Sequence, residues 1–174
     1  MADSKAIPDH EIVVVDYKQQ DLRRQCYDVR INVFVHEQGF PVDVELDQYD
    51  ELPETAHFIL RLLPSLTPIG TIRAARPSTK GATYYKLSRL AVVKDYRQFK
   101  FGRELVLALH DWTKAEAVRE GLDHATVVSH SQMYVKGFYG KFGYVPEGDE
   151  FDEDGAPHQK MVLRMPVGPQ PTVH

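Results

Sequence analysis

Arg97, Lys100 and Arg103 fall within seven consecutive residues, with Gly102 among them. They sit between two different apolar patterns. Leu87–Val93 is short, apolar and β-branched at its end, and predicts a strand. From Phe101, apolar residues recur at Leu105, Ala108, Leu109, Trp112 and Ala115, which predicts an amphipathic helix running to Glu120 and stopped by Gly121. A helix start has unpaired backbone N–H groups and the positive end of the dipole, so it favours an anion. Three cations at that start predict a seat for a pyrophosphate. The same spacing also describes an ordinary α/β connection with a solvated basic face.

The wording of the segment is more specific than its spacing. LAVVKDYRQFKFGREL resembles the acyl-CoA site of the GNAT acetyltransferase superfamily, in which a strand ending in LAV leads into (Q/R)xxGx(G/A) and a helix. Here the hexapeptide is Arg97-Gln98-Phe99-Lys100-Phe101-Gly102, with Lys100 in place of the first glycine. Glycine permits φ > 0 and close backbone approach, so Lys100 must make the turn with a Cβ or the turn must differ. Its ammonium could compensate by meeting the phosphates. A second block, SHSQMYVKGFYGKFGY from Ser129 to Tyr144, resembles the superfamily's NxxAxxxYxxxGF. In that register Gln132 stands for the Asn, Val135 for the Ala, Tyr139 for the Tyr, and Gly143-Tyr144 for the Gly-Phe. VFVHEQGFPVDVELDQYDE, the following His57 and GDEFDEDGAPHQKM look like the ElaA-like branch, so the match covers most of residues 28–165.

The resemblance implies an acetyl-CoA co-substrate held by Leu90, Ala91, Val92, Arg97, Gln98, Phe99, Lys100, Phe101, Gly102, Arg103, Gln132 and Tyr139. It implies direct attack by an amine on the thioester. The Val92 backbone N–H is the candidate donor to the oxygen that becomes anionic. Tyr139 is the candidate general acid: a tyrosine near pKa ~10 can protonate a thiolate whose thiol has a pKa of about 8.5. Read without the resemblance, a helix tyrosine is a packing residue. Cys26 sits at apolar spacing with Leu22, Val29 and Val33 and reads as a small buried hydrophobe, not a nucleophile.

Acceptor candidates are carboxylates and histidines that could bind an ammonium or relay its proton: Glu37, Glu45, Asp47, Asp50, His57, His130, Glu150 and His158. Glu37, Gln38 and His130 are preferred, the first two because they lie where Gly39 and Pro41 break a helix, the third because it follows the strand beside the expected cofactor path. The acidic run from Asp43 to Glu54 reads first as a solvated loop. If it lines the site, it favours a cationic acceptor such as an amino sugar, for example glucosamine, or a polyamine. Arg61, Arg73, Arg76 and Arg89 have no assigned partner in the sequence, which leaves a phosphorylated amine open. Transfer to a protein or peptide amine, and a non-catalytic acyl-CoA-binding module, are the alternatives. No HxH or HExxH spacing occurs, so no metal is expected.

The chain has 174 residues, 43% hydrophobic and 26% charged, the profile of a soluble globular protein with one domain over 1–174 and an ordered core of about 11–166. A formal net charge of -4 gives no support for nucleic-acid binding. No apolar run approaches the ~18 residues of a membrane span, and Met1–His10 lacks the features of a signal or transit peptide. These readings place a monomer or homodimer in the cytoplasm or the nucleus. The expected elements are strands at Ile12–Val15, Ala56–Leu63, Ile69–Ala75, Leu87–Val93, Ala125–Val128, Tyr144–Phe151 and His158–Met165. Helices are expected at Asp21–Val35, Phe101–Glu120 and Gln132–Lys141, with a loose start at Met1–Asp9, turns at Pro77–Gly81 and Asp152–Pro157, and a flexible tail over 167–174. That order predicts a mixed sheet with helices on both faces, and the resemblance gives the same α/β GNAT fold, mostly antiparallel and splayed at the cofactor site.

Overall fold

In the first half of the chain, a run of β-branched residues and an amphipathic helix close over one another. β1 (His10–Val15) pairs antiparallel with β2 (Ala56–Leu62), from His10↔Leu62 to Val15↔His57. β2 pairs antiparallel with β3 (Pro68–Ala75), with a register shift between Leu60 and Arg61. The computed structural model describes residues 5–77 and 81–168. Met1–Ser4, the middle of the Pro77–Gly81 turn and the tail beyond Gly168 lie outside the described residues.

The chain divides into two compact units, Met1–Ala74 with Arg89–Leu109, and Ala75–Ser88 with His110–His174. In the first, α1 (Gln20–Arg30) places Cys26 and Val29 against Val15, Ile59 and Ala91. Burial pushes the Cys26 thiol pKa up to about 11, so it is the inert hydrophobe its spacing predicts. The helix does not end at Val35. It widens into a π-helical segment, Ile31–Glu37, that still buries Val33, and Gly39 at φ 78 then turns the chain away. π segments of this kind are uncommon and concentrate at functional sites. The acidic stretch is ordered as α2 (Val42–Glu45) and a 3₁₀ turn, Gln48–Glu51. The Asp47 carboxylate accepts from Tyr49 N–H at 3.0 Å, and the Asp50 carboxylate accepts from Asp47 N–H at 3.0 Å.

β4 (Tyr84–Val92) contributes Arg89–Val92 to the first unit and Tyr84–Ser88 to the second. α3 (Phe101–Arg119) contributes Phe101–Leu109 to the first. Leu105 and Leu109 of that half are fully buried. A Cβ added to Gly70 would stand 3.1 Å from Leu105 Cδ1, so the missing side chain is what lets the helix lie this close to β3.

In the second unit, β5 (His124–Gln132) pairs parallel with β4 over Tyr84↔Thr126 to Lys86↔Val128, where that ladder stops. β8 (Ala156–Pro166) pairs antiparallel along all of β5, from His124↔Pro166 to Gln132↔His158. β6 (Val145–Pro146) and β7 (Phe151–Glu153) also pair antiparallel with β8. The sheet is mixed and mostly antiparallel, as expected. Three element readings change. β5 runs four residues past Val128, because the polar Ser129–Gln132 stretch is held by the β8 ladder and the Ser129 and Ser131 hydroxyls are 3.2 Å apart. The helix expected at Gln132–Lys141 shrinks to a 3₁₀ turn at Met133–Val135 and α4 (Lys136–Gly140). The strand expected at Tyr144–Phe151 is two short pieces parted by Gly148, at φ 77.

Candidate active site

β4 leads into a 3₁₀ turn, Lys94–Phe99, which ends at Lys100 with φ 60 and ψ 31 before α3 starts. This is the left-handed conformation a glycine takes without penalty; a residue with a Cβ takes it at roughly 1–2 kcal/mol. Lys100 thus makes, with its Cβ, a left-handed turn of the kind glycine favours. Phe101 is fully buried, with its ring 4.6 Å from His10 and 5.6 Å from Phe99, and fixes where the helix begins. A Cβ built on Gly102 would have nothing within 4 Å. Lys100 and Arg103 are exposed, and among the described residues neither is in an ion pair. Leu90 and Phe99 are half-buried, Ala91 and Val92 buried, Gln98 exposed. The residue types and backbone suit a pyrophosphate: two uncommitted cations, an open glycine and a helix N-terminus.

Arg97 is different. Its Nε donates to Val92 O at 2.9 Å, and its two terminal nitrogens donate to Glu37 Oε1 and Oε2 at 2.5 and 2.6 Å. The hydrogen bonds and charge of Arg97 hold the Glu37 carboxyl below the usual carboxylate range. Two residues expected on separate tasks, cofactor and acceptor, are one ion pair. Gln38 follows, exposed, its N–H bonded to Val33 O at 3.0 Å.

The solvated-loop reading of the acidic run is overturned for Glu45 and Asp50, which are 5% and 2% exposed. Arg30 is itself fully buried; its Nε bonds Glu45 Oε1 at 2.7 Å and its terminal nitrogens bond Asp50 at 2.8 and 3.0 Å. Arg73 bonds Asp47 at 2.7 and 2.9 Å and Asp50 at 3.0 Å, and Arg89 reaches Asp47 at 3.2 Å. Burial alone would raise the Asp50 pKa, but the hydrogen bonds and charges of Arg30 and Arg73 hold it far below normal. These carboxylates are spent on arginines, so they supply no argument for a cationic acceptor. Burial pushes the pKa of His57 down to about 4, with Nε2 4.0 Å from Asp50 Oδ1. The other unassigned arginines are engaged too: Arg61 with Glu11 at 2.6 Å, Arg76 with Glu120. The cluster was missed in the sequence, although Arg30 falls four residues after Cys26 and three before Val33, on the buried stripe.

In the second unit, Tyr139 on α4 is 7% exposed, its ring 5.4 Å from Tyr144 and 5.1 Å from Phe138. Burial pushes its pKa up to about 12, against a smaller opposing effect from the Ser129 hydroxyl. It is therefore protonated at neutral pH, the state a proton donor needs. Tyr144 is 2.7 Å from His110 Nε2, a partner the sequence did not suggest. Gln132 ends β5, half-buried. His130 Nδ1 lies 3.2 Å from Glu153 Oε1, and His158 Nε2 lies 3.7 Å from the other oxygen. Burial and the Lys86 charge lower the His130 pKa, against Glu153. His158 Nδ1 meets Ala156 O at 2.8 Å and anchors the β7–β8 turn. Among the described residues no group of three or more His, Cys, Asp and Glu is placed to hold a metal.

The family model described as an acetyltransferase (GNAT) domain matches residues 17–165. The chain belongs to the GNAT acetyltransferase family. A Bacillus subtilis protein with the provisional name acetyltransferase is 34% identical over 82% of this chain and 89% of its own length. The Bacillus subtilis N-acetyltransferase YjcF, uncharacterised, is 30% identical over 83% of this chain and 94% of its own. A crystal structure from Lactobacillus plantarum, provisionally named an N-acetyltransferase, matches with TM-score 0.72 and 29% identity, covering 90% of this chain and 99% of that one. Escherichia coli ElaA shares the fold, with TM-score 0.72 at 21% identity over 88% of this chain and 98% of that one. GNAT membership makes the chain an acyl-CoA-dependent acetyltransferase. Among the described residues no helix is long and apolar enough to cross a membrane.

Proposed function

We propose that this GNAT protein, acting as one domain over residues 1–174, transfers the acetyl group of acetyl-CoA to a primary amine of a small molecule. The observation that carries the reading is the Lys100–Arg103 turn, where a left-handed Lys100, an open Gly102 and an uncommitted Arg103 start α3. When bound, acetyl-CoA supplies the thioester. The Lys100 and Arg103 cations and the amides at the start of α3 hold its pyrophosphate, and Gln132 meets its pantetheine amides. The Val92 N–H donates to the carbonyl oxygen as charge grows there. The amine nitrogen bonds to the carbonyl carbon, the C–S bond breaks, and Tyr139 gives its proton to the leaving sulfur. Gln38 and His130 are the proposed acceptor contacts: His130 takes the ammonium's proton before attack, and the proton that the nitrogen sheds as the amide forms goes to solvent, which reprotonates Tyr139.

Glucosamine and polyamines remain the first acceptors to try, because no arginine among Arg61, Arg73, Arg76 and Arg89 is left over as a phosphate clamp. The exposure of Gln38 and of Phe40 beside it also suits a peptide amine. Both readings are tested together. Acetyl-CoA should raise Tm with concentration, by about 2.7 kcal/mol of stability at 100 Kd. A panel of glucosamine, spermidine, glucosamine 6-phosphate and a short peptide, with free thiol as readout, should give turnover with one of the unphosphorylated small amines. No Tm shift at millimolar acetyl-CoA sinks the proposal, and turnover with the peptide alone moves it to the second reading.

A further inference from the structure

The family motif casts Arg97 as the first cation of the pyrophosphate seat. Its surroundings in the first unit say otherwise. The guanidinium offers a planar fork with a fixed set of N–H directions. One edge is used bidentately on Glu37, and Nε is used on the carbonyl of Val92. The pair carries no net charge to offer a phosphate, whereas Lys100 and Arg103 do. The peptide unit between Val92 and Val93 is clamped at both ends: its oxygen by Arg97, its N–H by Ile69 O at 2.8 Å. Glu37 closes the π-helical segment, directly before Gln38 and the φ 78 turn at Gly39. One side chain thus ties the end of β4, the 3₁₀ turn before α3 and the end of the π-helical segment.

We infer that Arg97 is a positioning residue, not a phosphate ligand: with Glu37 it forms a strut that fixes the Val92–Val93 peptide and the Gln38 segment. The inference rests on the proposed acetyl transfer for its consequence: the clamped Val92–Val93 peptide directly follows the Val92 N–H proposed for the oxyanion and limits how that N–H can turn, and Gln38 is a proposed acceptor contact. A point charge cannot replace the strut. Lysine keeps the cation of Arg97 but cannot bridge Val92 O and both Glu37 oxygens. Misplacement of a reacting group by about 1 Å costs on the order of 10²-fold in rate.

The test uses the full chain with Arg97→Lys, Arg97→Gln and the milder Glu37→Gln. Amide exchange is read first, without ligand. All three variants should speed exchange at Val93 and Gln38 by about 10-fold, with the strands of the second unit unchanged. Acetyl-CoA and acetyl-pantetheine, which lacks the pyrophosphate, are then compared. Their affinities should stay within about 3-fold of the parent in every variant, and their ratio should hold, while kcat falls by about 10–100-fold in Arg97→Lys as much as in Arg97→Gln. Selective loss of acetyl-CoA affinity in Arg97→Gln, with acetyl-pantetheine untouched, would make Arg97 a phosphate ligand after all. Rescue by lysine, tighter acetyl-CoA binding in Glu37→Gln, or unchanged exchange at Val93 each overturns the strut. Failure of the parent chain to bind acetyl-CoA counts against the proposed function instead, and the exchange result still decides whether the strut exists.

Discussion

Lys100 holds a conformation in which its Cβ is a burden, and it does so at the point where the family uses glycine. The two consequences have opposite signs. Lys100→Gly removes the left-handed strain and should raise stability by about 1 kcal/mol, or about 2–4 °C in Tm for a chain of this size. It also removes an exposed ammonium, and acetyl-CoA affinity should fall by about 1–3 kcal/mol if that ammonium makes a charge-assisted bond to the phosphates. A melting curve and a binding isotherm on one variant separate the two; tighter binding by the glycine would show that the seat is backbone only. Tyr139 poses a cleaner question. Its ring is packed among Phe138 and Tyr144, so Tyr139→Phe keeps the contacts and deletes only the hydroxyl. With chemistry limiting, kcat should drop by at least ~10-fold while acetyl-CoA affinity stays within about 3-fold. Full kcat in the phenylalanine variant would return Tyr139 to a packing role.

At the scale of elements, the acidic segment shows what a charge pattern hides. Asp43, Glu45, Asp47, Asp50, Glu51 and Glu54 look alike in sequence, yet Glu45 and Asp50 are buried while Asp43, Glu51 and Glu54 are exposed. What separates them is three arginines from distant elements, Arg30 on α1, Arg73 on β3 and Arg89 on β4. Removing one partner of a buried pair leaves the others uncompensated, so Asp50→Asn should destabilise by about 3–5 kcal/mol in urea unfolding. Asp43→Asn should change little. A loss below about 1 kcal/mol for Asp50→Asn would mean that water reaches Arg30. The strands that carry apolar runs, β1 to β3, were legible because burial and residue type coincide there. α3 was legible because its period is helical. The polar end of β5 was not, because the pairing of Ser129–Gln132 with β8 depends on residues about thirty positions away. The turn before α3 was legible as a motif, down to the question that Lys100 posed; the Arg97–Glu37 pair was not, because sequence spacing does not say which charges meet.

Over the whole molecule, acid should be the chain's weak direction. Two buried histidines are held in the neutral form, His57 in the first unit and His110 in the second, both pushed down by burial to about 4. His110 Nε2 is bonded to the Tyr144 hydroxyl; at His57 burial is the main cause of the lowered pKa, with the charges of Arg30, Arg73 and Arg23 acting in the same direction and Asp50 against them. In the unfolded chain both titrate near 6.5. Between about pH 6.5 and 4 the unfolded state therefore binds more protons than the folded state, and stability falls as pH falls through that window. The loss is complete once the pH is below about 4. Asp50, with its pKa depressed, adds a further loss only below its unfolded value, in more acidic solution. His10 acts the other way: burial lowers its pKa, but Glu104 and the Pro8 carbonyl outweigh that and raise it, so its contribution is present in acid and lost as pH rises. Two neutral histidines outweigh one partly buried charged one, and Tm should decline steadily from pH 6.5 to pH 4. Proton NMR of the imidazoles provides the check on cause. The His57 and His110 resonances should stay in their neutral positions down to about pH 5, while His10 titrates above 6.5. Ordinary titration of His57 and His110 near 6.5, or a Tm that is flat over that window, would mean that these rings meet water in the folded protein.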